Sequence, residues 1–309
     1  MTLALLCSGQ GRQHRDMFAL AGDAPEAAGL FAHAARLLGG RDPRELVRRD
    51  SDEALHANRT GQILCTLEAL GAAAALRDAL PDRLVVAGYS VGEVAGWGVA
   101  GLFSPTDTLD LVARRAEIMD AVSPAGDGLL FVRGLPHAVI DGLCERHDAA
   151  VAIVNPGNGF VLGGNRAALV ALAEDAKALN AVRVVDVAVN VASHTKRLAT
   201  ASATYREVLS HVAVAPPAPG RRIISGIDGA PVLDVQAGLD KLAGQISHTL
   251  QWADCLQGCV EAGATAFLEL GPGRALSDMI AGARCLEEFR TLEGSRAWLR
   301  ALPLSSGRT

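Results

Sequence analysis

The sequence predicts an α/β protein with two subdomains, and three observations carry that expectation. Short, almost wholly apolar runs such as LALLCSG (3–9) and RLVVAGYS (83–90) alternate with longer helical stretches, among them residues 27–38 and GQILCTLEALGAAAALRDAL (61–80). Such apolar runs read as parallel strands covered on both faces, with the intervening helices as the covers. From about residue 127 the order becomes β-α-β-β-α-β, the split unit of a ferredoxin-like module. The third observation is size, since 309 residues suffice for one large domain carrying a smaller insert.

Each element of the insert has a local reason. GLLFVRGL (128–135) reads as a strand, and PHAVIDGLCERH (136–147) as a helix opened by Pro136. AAVAIVN (149–155) and FVLGG (160–164) are two strands joined by the turn PGNG. RAALVALAEDAKAL (166–179) has helical spacing, and VRVVDVAVN (182–190) is a final strand. The expected division is therefore a large subdomain of residues 1–126 and 195–309, with residues 127–194 as the small one. A helix from Thr195 to about Val212, the Pro-rich linker APPAPG (215–220) and a last strand AFLEL (266–270) return the chain to the large subdomain. The tail LSSGRT (304–309) is expected to fray.

Composition excludes several classes of function. Net charge is −5, from 29 basic and 34 acidic residues, with no basic cluster, so nothing points to nucleic acid. No stretch approaches the ~20 apolar residues of a membrane span, and the N-terminal MTLALLCSGQGRQH lacks a basic leader and reads as a first strand. The six cysteines are scattered without a C-x-x-C pair and read as reduced thiols of a cytoplasmic protein, with no metal site.

Chemistry concentrates at VVAGYSVGEVAGWG (85–98), where Gly88, Ser90 and Gly92 fit G-x-S-x-G. A strand turning sharply into a helix crowds its flanking positions, which therefore want no side chain, while the serine is lifted into the open. Ser90 is the candidate nucleophile of an α/β-hydrolase-like large subdomain with a parallel sheet; an ordinary strand-to-helix turn is the alternative. His194, in NVASHTKR, lies where the chain crosses back between subdomains and is the candidate base, with His248 as substitute. His33, His56, His137, His147 and His211 sit on polar or helical stretches and read as solvated. The loop SGQGRQ (8–13) can aim backbone N–H groups at a ligand, with Val91 as a second donor. No lysine follows that loop, which disfavours a phosphate-binding loop.

SGQGRQ, GYSVGE (88–93), RAEIM (115–119), ASH (192–194), QW (251–252) and LELGPG (268–273) stand in the order and spacing of malonyl-CoA:acyl-carrier-protein transacylases, which the chain resembles over nearly its whole length. The resemblance implies that Ser90 is acylated, that His194 is its general base, and that the N–H groups of Gln10 and Val91 form the oxyanion hole. It further implies that Arg115 grips the malonyl carboxylate, that Gln251 lies where the histidine is oriented, and that Gln62 is a second pocket glutamine. Arg suits a buried carboxylate because its planar fork donates two parallel charge-assisted hydrogen bonds and keeps its proton; adjacent Arg114 reads as a surface residue. Tyr89 stands where the family usually has histidine, and Ala192 where proline is common.

LCSGQG, QHRDMF and GYSVGE together are most similar to the epsilon (transacylase) subunit of malonate decarboxylase. That implies, as acceptor, the phosphoribosyl-dephospho-CoA thiol of a small carrier subunit. A malonyl transacylase of fatty-acid or polyketide synthesis is the alternative, and a serine esterase or thioesterase a more distant one. A non-catalytic docking subunit is disfavoured by the intact Ser, His, Arg and Gln set. No cofactor or metal is called for.

Overall fold

The structure, a computed structural model, describes residues 2–303; Met1 and the tail LSSGRT fall outside the described residues. The chain opens with β1 (Thr2–Cys7), then α1 (Ala28–Leu37), α2 (Pro43–Arg49), α3 (Asp52–His56) and α4 (Asn58–Leu76). β2 (Leu84–Gly88), α5 (Val91–Ala100) and α6 (Pro105–Val122) follow. The insert supplies β3 (Asp127–Arg133), α7 (His137–Arg146), β4 (Ala150–Asn155), β5 (Gly159–Asn165), α8 (Arg166–Ala178) and β6 (Arg183–Val187). The remainder is α9 (Ala199–Ser210), β7 (Arg221–Ile224), α10 (Val235–Gly244), β8 (Leu250–Gln251), α11 (Trp252–Glu261), β9 (Ala264–Glu269), β10 (Arg284–Cys285) and α12 (Leu292–Ala301).

One sheet runs β10-β9-β1-β2-β7, every neighbouring pair parallel. β2 is buried along its whole length and β1 is buried from Leu3 to Cys7, as expected of strands covered on both faces. α5 is buried on every side, running from the end of β2 through the middle of the molecule. α6 is capped by Ser104, whose hydroxyl accepts from the Asp107 N–H, and Pro105 starts its first turn. Its pitch turns Arg115 inward and leaves neighbouring Arg114 outside.

The second sheet runs β6-β3-β5-β4-β8, antiparallel through its first four strands. β6-β3-β5-β4 is the strand order of a ferredoxin-like unit, with α7 and α8 packed against it. The module does not stop at its own ends. β8, far along the chain, pairs parallel with β4, Ile153 opposite Leu250 and Val154 opposite Gln251. The buried carboxylate of Asp127 at the start of β3 accepts from Arg197 Nε and Nη2 at 2.7 and 2.9 Å, tying the insert to the segment before α9.

Two details differ from the sequence reading. The strand expected over 182–190 ends at Val187, because the chain there leaves the sheet edge to cross toward the large subdomain. The stretch between the Pro-rich linker and AFLEL is not a plain return but carries β7, α10, β8 and α11. β7 is only four residues long and β8 two, too short for a periodicity to register. All six cysteines are free and buried. Among the described residues no helix is long and apolar enough to cross a membrane.

Candidate active site

The loops after β1, β2, β7 and β9 gather at the carboxyl edge of the parallel sheet, the usual position of a site in such a layer. Ser90 stands at its centre with φ 58° and ψ −121°, a conformation that costs a non-glycine residue roughly 1–3 kcal/mol and is held only where the surroundings enforce it. The flanking glycines are the enforcement. A Cβ on Gly88 would lie 2.1 Å from the Gly92 carbonyl, and one on Gly92 would lie 2.0 Å from the Cys7 carbonyl oxygen. The turn closes only with hydrogen there.

His194 also has positive φ, 63°, and its Nε2 lies 2.8 Å from Ser90 Oγ. Its Nδ1 lies 2.5 Å from the backbone carbonyl of Gln245, and its own N–H donates to the Ile246 carbonyl at 2.8 Å. A carbonyl can only accept, so Nδ1 carries the proton and Nε2 offers its lone pair to the serine hydroxyl. Burial, with help from the nearby Arg115 cation, pushes the imidazole pKa down to about 3, which keeps the ring neutral. His248 is exposed, its Nδ1 engaged by the Gly244 carbonyl, and it is not on the serine.

The loop after β1 lies against this elbow: a Cβ on Gly9 would sit 3.6 Å from Ser90 Cβ. Gln13 Oε1 accepts from the N–H groups of Gly11 and Arg12 at 2.6 and 3.0 Å, and the Ser8 hydroxyl donates to Glu269 at 2.7 Å. Glu269 also accepts from the N–H groups of Leu276 and Ser277, so one buried carboxyl joins the loops after β1 and β9. Among the described residues no acceptor takes the backbone N–H of Gln10 or of Val91. The Gln10 side chain donates to the Asn58 carbonyl at 3.1 Å.

Arg115 is fully buried. Nη1 donates to Gln62 Oε1 at 2.8 Å and Nη2 to Gln245 Oε1 at 3.4 Å, while Nε has no partner among the described residues. Gln62 is itself pinned by its Nε2 donating to Asn58 Oδ1 at 2.8 Å. Desolvation draws the guanidinium pKa down to about 10, still charged at neutral pH. No carboxylate among the described residues touches it, which is costly for a buried cation unless a ligand supplies one.

Gln251 requires a correction. It lies on β8 beside Val154, and its backbone N–H donates to the Gly226 carbonyl at 2.9 Å; it does not orient His194. Gln245 does, from the turn after α10, and its Nε2 also donates to the Ser90 carbonyl at 3.2 Å and to Glu93 Oε2 at 3.1 Å. The tryptophan of the QW motif is a packing residue, 1% exposed with its ring edge-on to Tyr89 at 5.3 Å. Gln245 sits in GQIS, outside every recognisable motif; its one sequence signal is a polar residue at the end of an apolar helical run. Among the described residues no cluster of three His, Cys, Asp or Glu side chains is placed to hold a metal.

Chemically, this arrangement can make and break an acyl ester: a hydroxyl on a neutral imidazole, free N–H groups on the elbow and on the loop after β1, and a buried cation for an acidic acyl group. The acyl transferase domain family matches residues 5–277. A malonyl CoA-acyl carrier protein transacylase of Mycobacterium tuberculosis is 31% identical over 279 residues, covering 89% of this chain and 91% of that protein. The polyketide synthase GfsB of Streptomyces halstedii is 33% identical over 301 residues, 93% of this chain but 5% of that far longer protein. Among solved structures, MCAT from Mycobacterium tuberculosis superposes with a TM-score of 0.86 at 28% identity, covering 97% of this chain and 100% of that one. An acyl-carrier-protein S-malonyltransferase from Burkholderia pseudomallei gives 0.86 at 26% identity, covering 96% and 100%. The chain belongs to the acyl transferase domain family.

Proposed function

We propose that the chain moves a malonyl group from malonyl-CoA to the thiol of an acyl carrier protein through an ester on Ser90. The observation that carries this reading is Arg115, a buried guanidinium without a carboxylate partner among the described residues, joined through Gln245 to both the elbow and the histidine. The names of the relatives support the same substrate.

Ser90 Oγ attacks the thioester carbonyl as its proton passes to His194 Nε2, and the oxyanion rests on the N–H groups of Gln10 and Val91. Collapse breaks the C–S bond, and the CoA sulfur leaves with the proton from His194. The carrier thiol then gives its proton to His194 and attacks the ester, restoring the serine hydroxyl. Throughout, Gln62 and Gln245 hold Arg115 on the malonyl carboxylate. The carbonyl of Gln245 stabilises the imidazolium less than a carboxylate would. A transferase tolerates this, since its acyl-enzyme should wait for a thiol rather than react quickly with water.

The finer reading makes the acceptor the carrier subunit of a malonate decarboxylase, supported by LCSGQG, QHRDMF and the Tyr89 that precedes the serine. Intact-protein mass spectrometry after malonyl-CoA treatment should find one malonyl group on the chain and none on Ser90→Ala. Label retained by that variant would place the nucleophile elsewhere. Transfer from the loaded chain to holo carrier proteins of fatty-acid synthesis and of malonate decarboxylase then decides the acceptor. Rapid CoA release with no carrier present would instead favour a thioesterase.

A further inference from the structure

Behind the elbow lies a carboxyl group with no part in the acyl transfer itself. Glu93, in the first turn of α5, is 1% exposed. Its Oε2 accepts from the Gly226 N–H at 3.0 Å and from Gln245 Nε2 at 3.1 Å, while Oε1 is buried with no partner among the described residues. The same Gln245 amide accepts from Arg115 Nη2. A single side-chain amide therefore bridges the buried acid and the buried cation, its N–H end on the acid and its oxygen on the cation.

We propose that Glu93 sets the charge of the acyl pocket and thereby its selectivity: as the neutral acid it leaves Arg115 without an internal counter-ion, free for a substrate carboxylate, and as the carboxylate it competes for that cation across Gln245. This rests on Arg115 being the receptor of the malonyl carboxylate. The other charged or titratable groups facing Glu93 are Asp228 in the loop after β7, Lys241 on α10 and Cys255 on α11. Asp228 and Lys241 pair with each other at 2.6 Å and largely cancel, and the Cys255 thiol is held protonated by burial. Among the described residues, Arg115 is the one facing charge without a partner of opposite sign. Burial is the dominant influence on Glu93 and pushes its pKa up to about 8, against smaller opposing effects of the Gly226 N–H and Arg115. At neutral pH the acid form prevails and the pocket has a net positive charge; above about pH 8 the pocket becomes internally neutral.

Coupling of this kind is reciprocal: if the ionised acid weakens malonyl binding, malonyl binding must draw a proton onto Glu93. The test is kcat/KM for malonyl-CoA and acetyl-CoA from pH 6 to 9.5 on the wild-type chain and on Glu93→Gln. The malonyl value should fall above about pH 8, by up to about tenfold per pH unit for a single proton, while the acetyl value stays level. Glu93→Gln should lose the fall. A limb shared by both substrates, or one that survives in Glu93→Gln, overturns the proposal. Should that variant not fold, calorimetry of malonyl-CoA binding to Ser90→Ala near pH 8, in buffers of different ionisation enthalpy, gives the answer. Net proton uptake with malonyl-CoA and none with acetyl-CoA is expected, and no uptake overturns it. A wild-type chain that does not prefer malonyl-CoA at pH 6.5 sinks the Arg115 reading and this one with it. A preference unchanged across the range sinks this one alone.

Discussion

Five side chains can be separated by experiment at the level of single residues. Arg115→Ala should abolish the preference for malonyl-CoA and leave acetyl transfer intact, because removing one partner of a buried charge pair costs on the order of 3–5 kcal/mol, and acetyl-CoA brings no charge. Arg114, exposed and 3.3 Å from Glu117, should tolerate alanine; equal losses on both substrates in Arg115→Ala would show a merely structural arginine. The two glutamines offer a sharper contrast. Gln245→Ala removes the links to Ser90, Glu93 and Arg115 at once, and displacement of a catalytic constellation costs on the order of 10–100-fold in rate. Gln251→Ala should stay near the wild-type rate, and the reverse order would show that the Gln245 side chain does not support the site. His194, its pKa pushed down to about 3 by burial and Arg115, is a neutral base throughout the working range. The malonyl kcat/KM should therefore be level from pH 5.5 to 7.5, whereas a fall near 6.5 would mean that water reaches the ring.

The elbow is the element on which the site depends, and its tolerance follows from space rather than propensity. Gly92→Ala places a methyl 2.0 Å from the Cys7 carbonyl oxygen, backbone against backbone with nothing to swing aside. Loss of folding or a large fall in Tm is expected. Gly142, in the middle of α7, is exposed and has nothing within 4 Å of its added Cβ. There alanine should stabilise by about 0.5–1 kcal/mol through helix propensity alone, and thermal melts of the two variants would compare them directly. The predicted strands and helices of the insert match those observed to within a few residues, because each is bounded by its own Pro, Gly or Asn signal. β7 and β8 have no such signature. They are strands only because β2 and β4 offer a free edge.

At the scale of the molecule, buried acids govern stability against pH. Burial raises Glu68 well above its ordinary 4.5, Glu93 to about 8, and Glu269 as well. The unfolded chain releases those protons near 4.5 while the native chain keeps them, so the unfolded state binds fewer protons in that window and stability falls as pH rises. His14, raised chiefly by its hydrogen bond to Glu287, acts in the same direction above 6.5. His194 acts oppositely, but only between about 3 and 6.5. Carboxyls held low, such as Asp42 and Glu117, matter only below about 4.5. Tm should therefore be lower at pH 8 than at pH 6.5 by calorimetry, and a rise would mean that these acids are solvated in the native state.

By itself the sequence determined the fold class, the elbow and the residue types of the site. Apolar periodicity reports burial, and Gly-x-Ser-x-Gly reports a turn whose sterics are local. It pointed to Ser90, His194, Arg115 and Gln62 because each lies in a short run with its own geometry or family pattern; the fold brings Ser90 to 2.8 Å from His194 and Arg115 to 2.8 Å from Gln62. Only the tertiary structure decided that Gln245 rather than Gln251 orients the histidine, that Glu93 meets Arg115 across one amide, and that β8 completes the second sheet. The physical reason is distance along the chain. His194 and Gln245 are 51 residues apart, and Arg115 and Gln245 are 130 apart, so no local pattern of hydrophobicity or turn chemistry carries their pairing. It exists once two sheets and the helices between them have packed, and the backbone carbonyl that holds the imidazole is an atom every residue has.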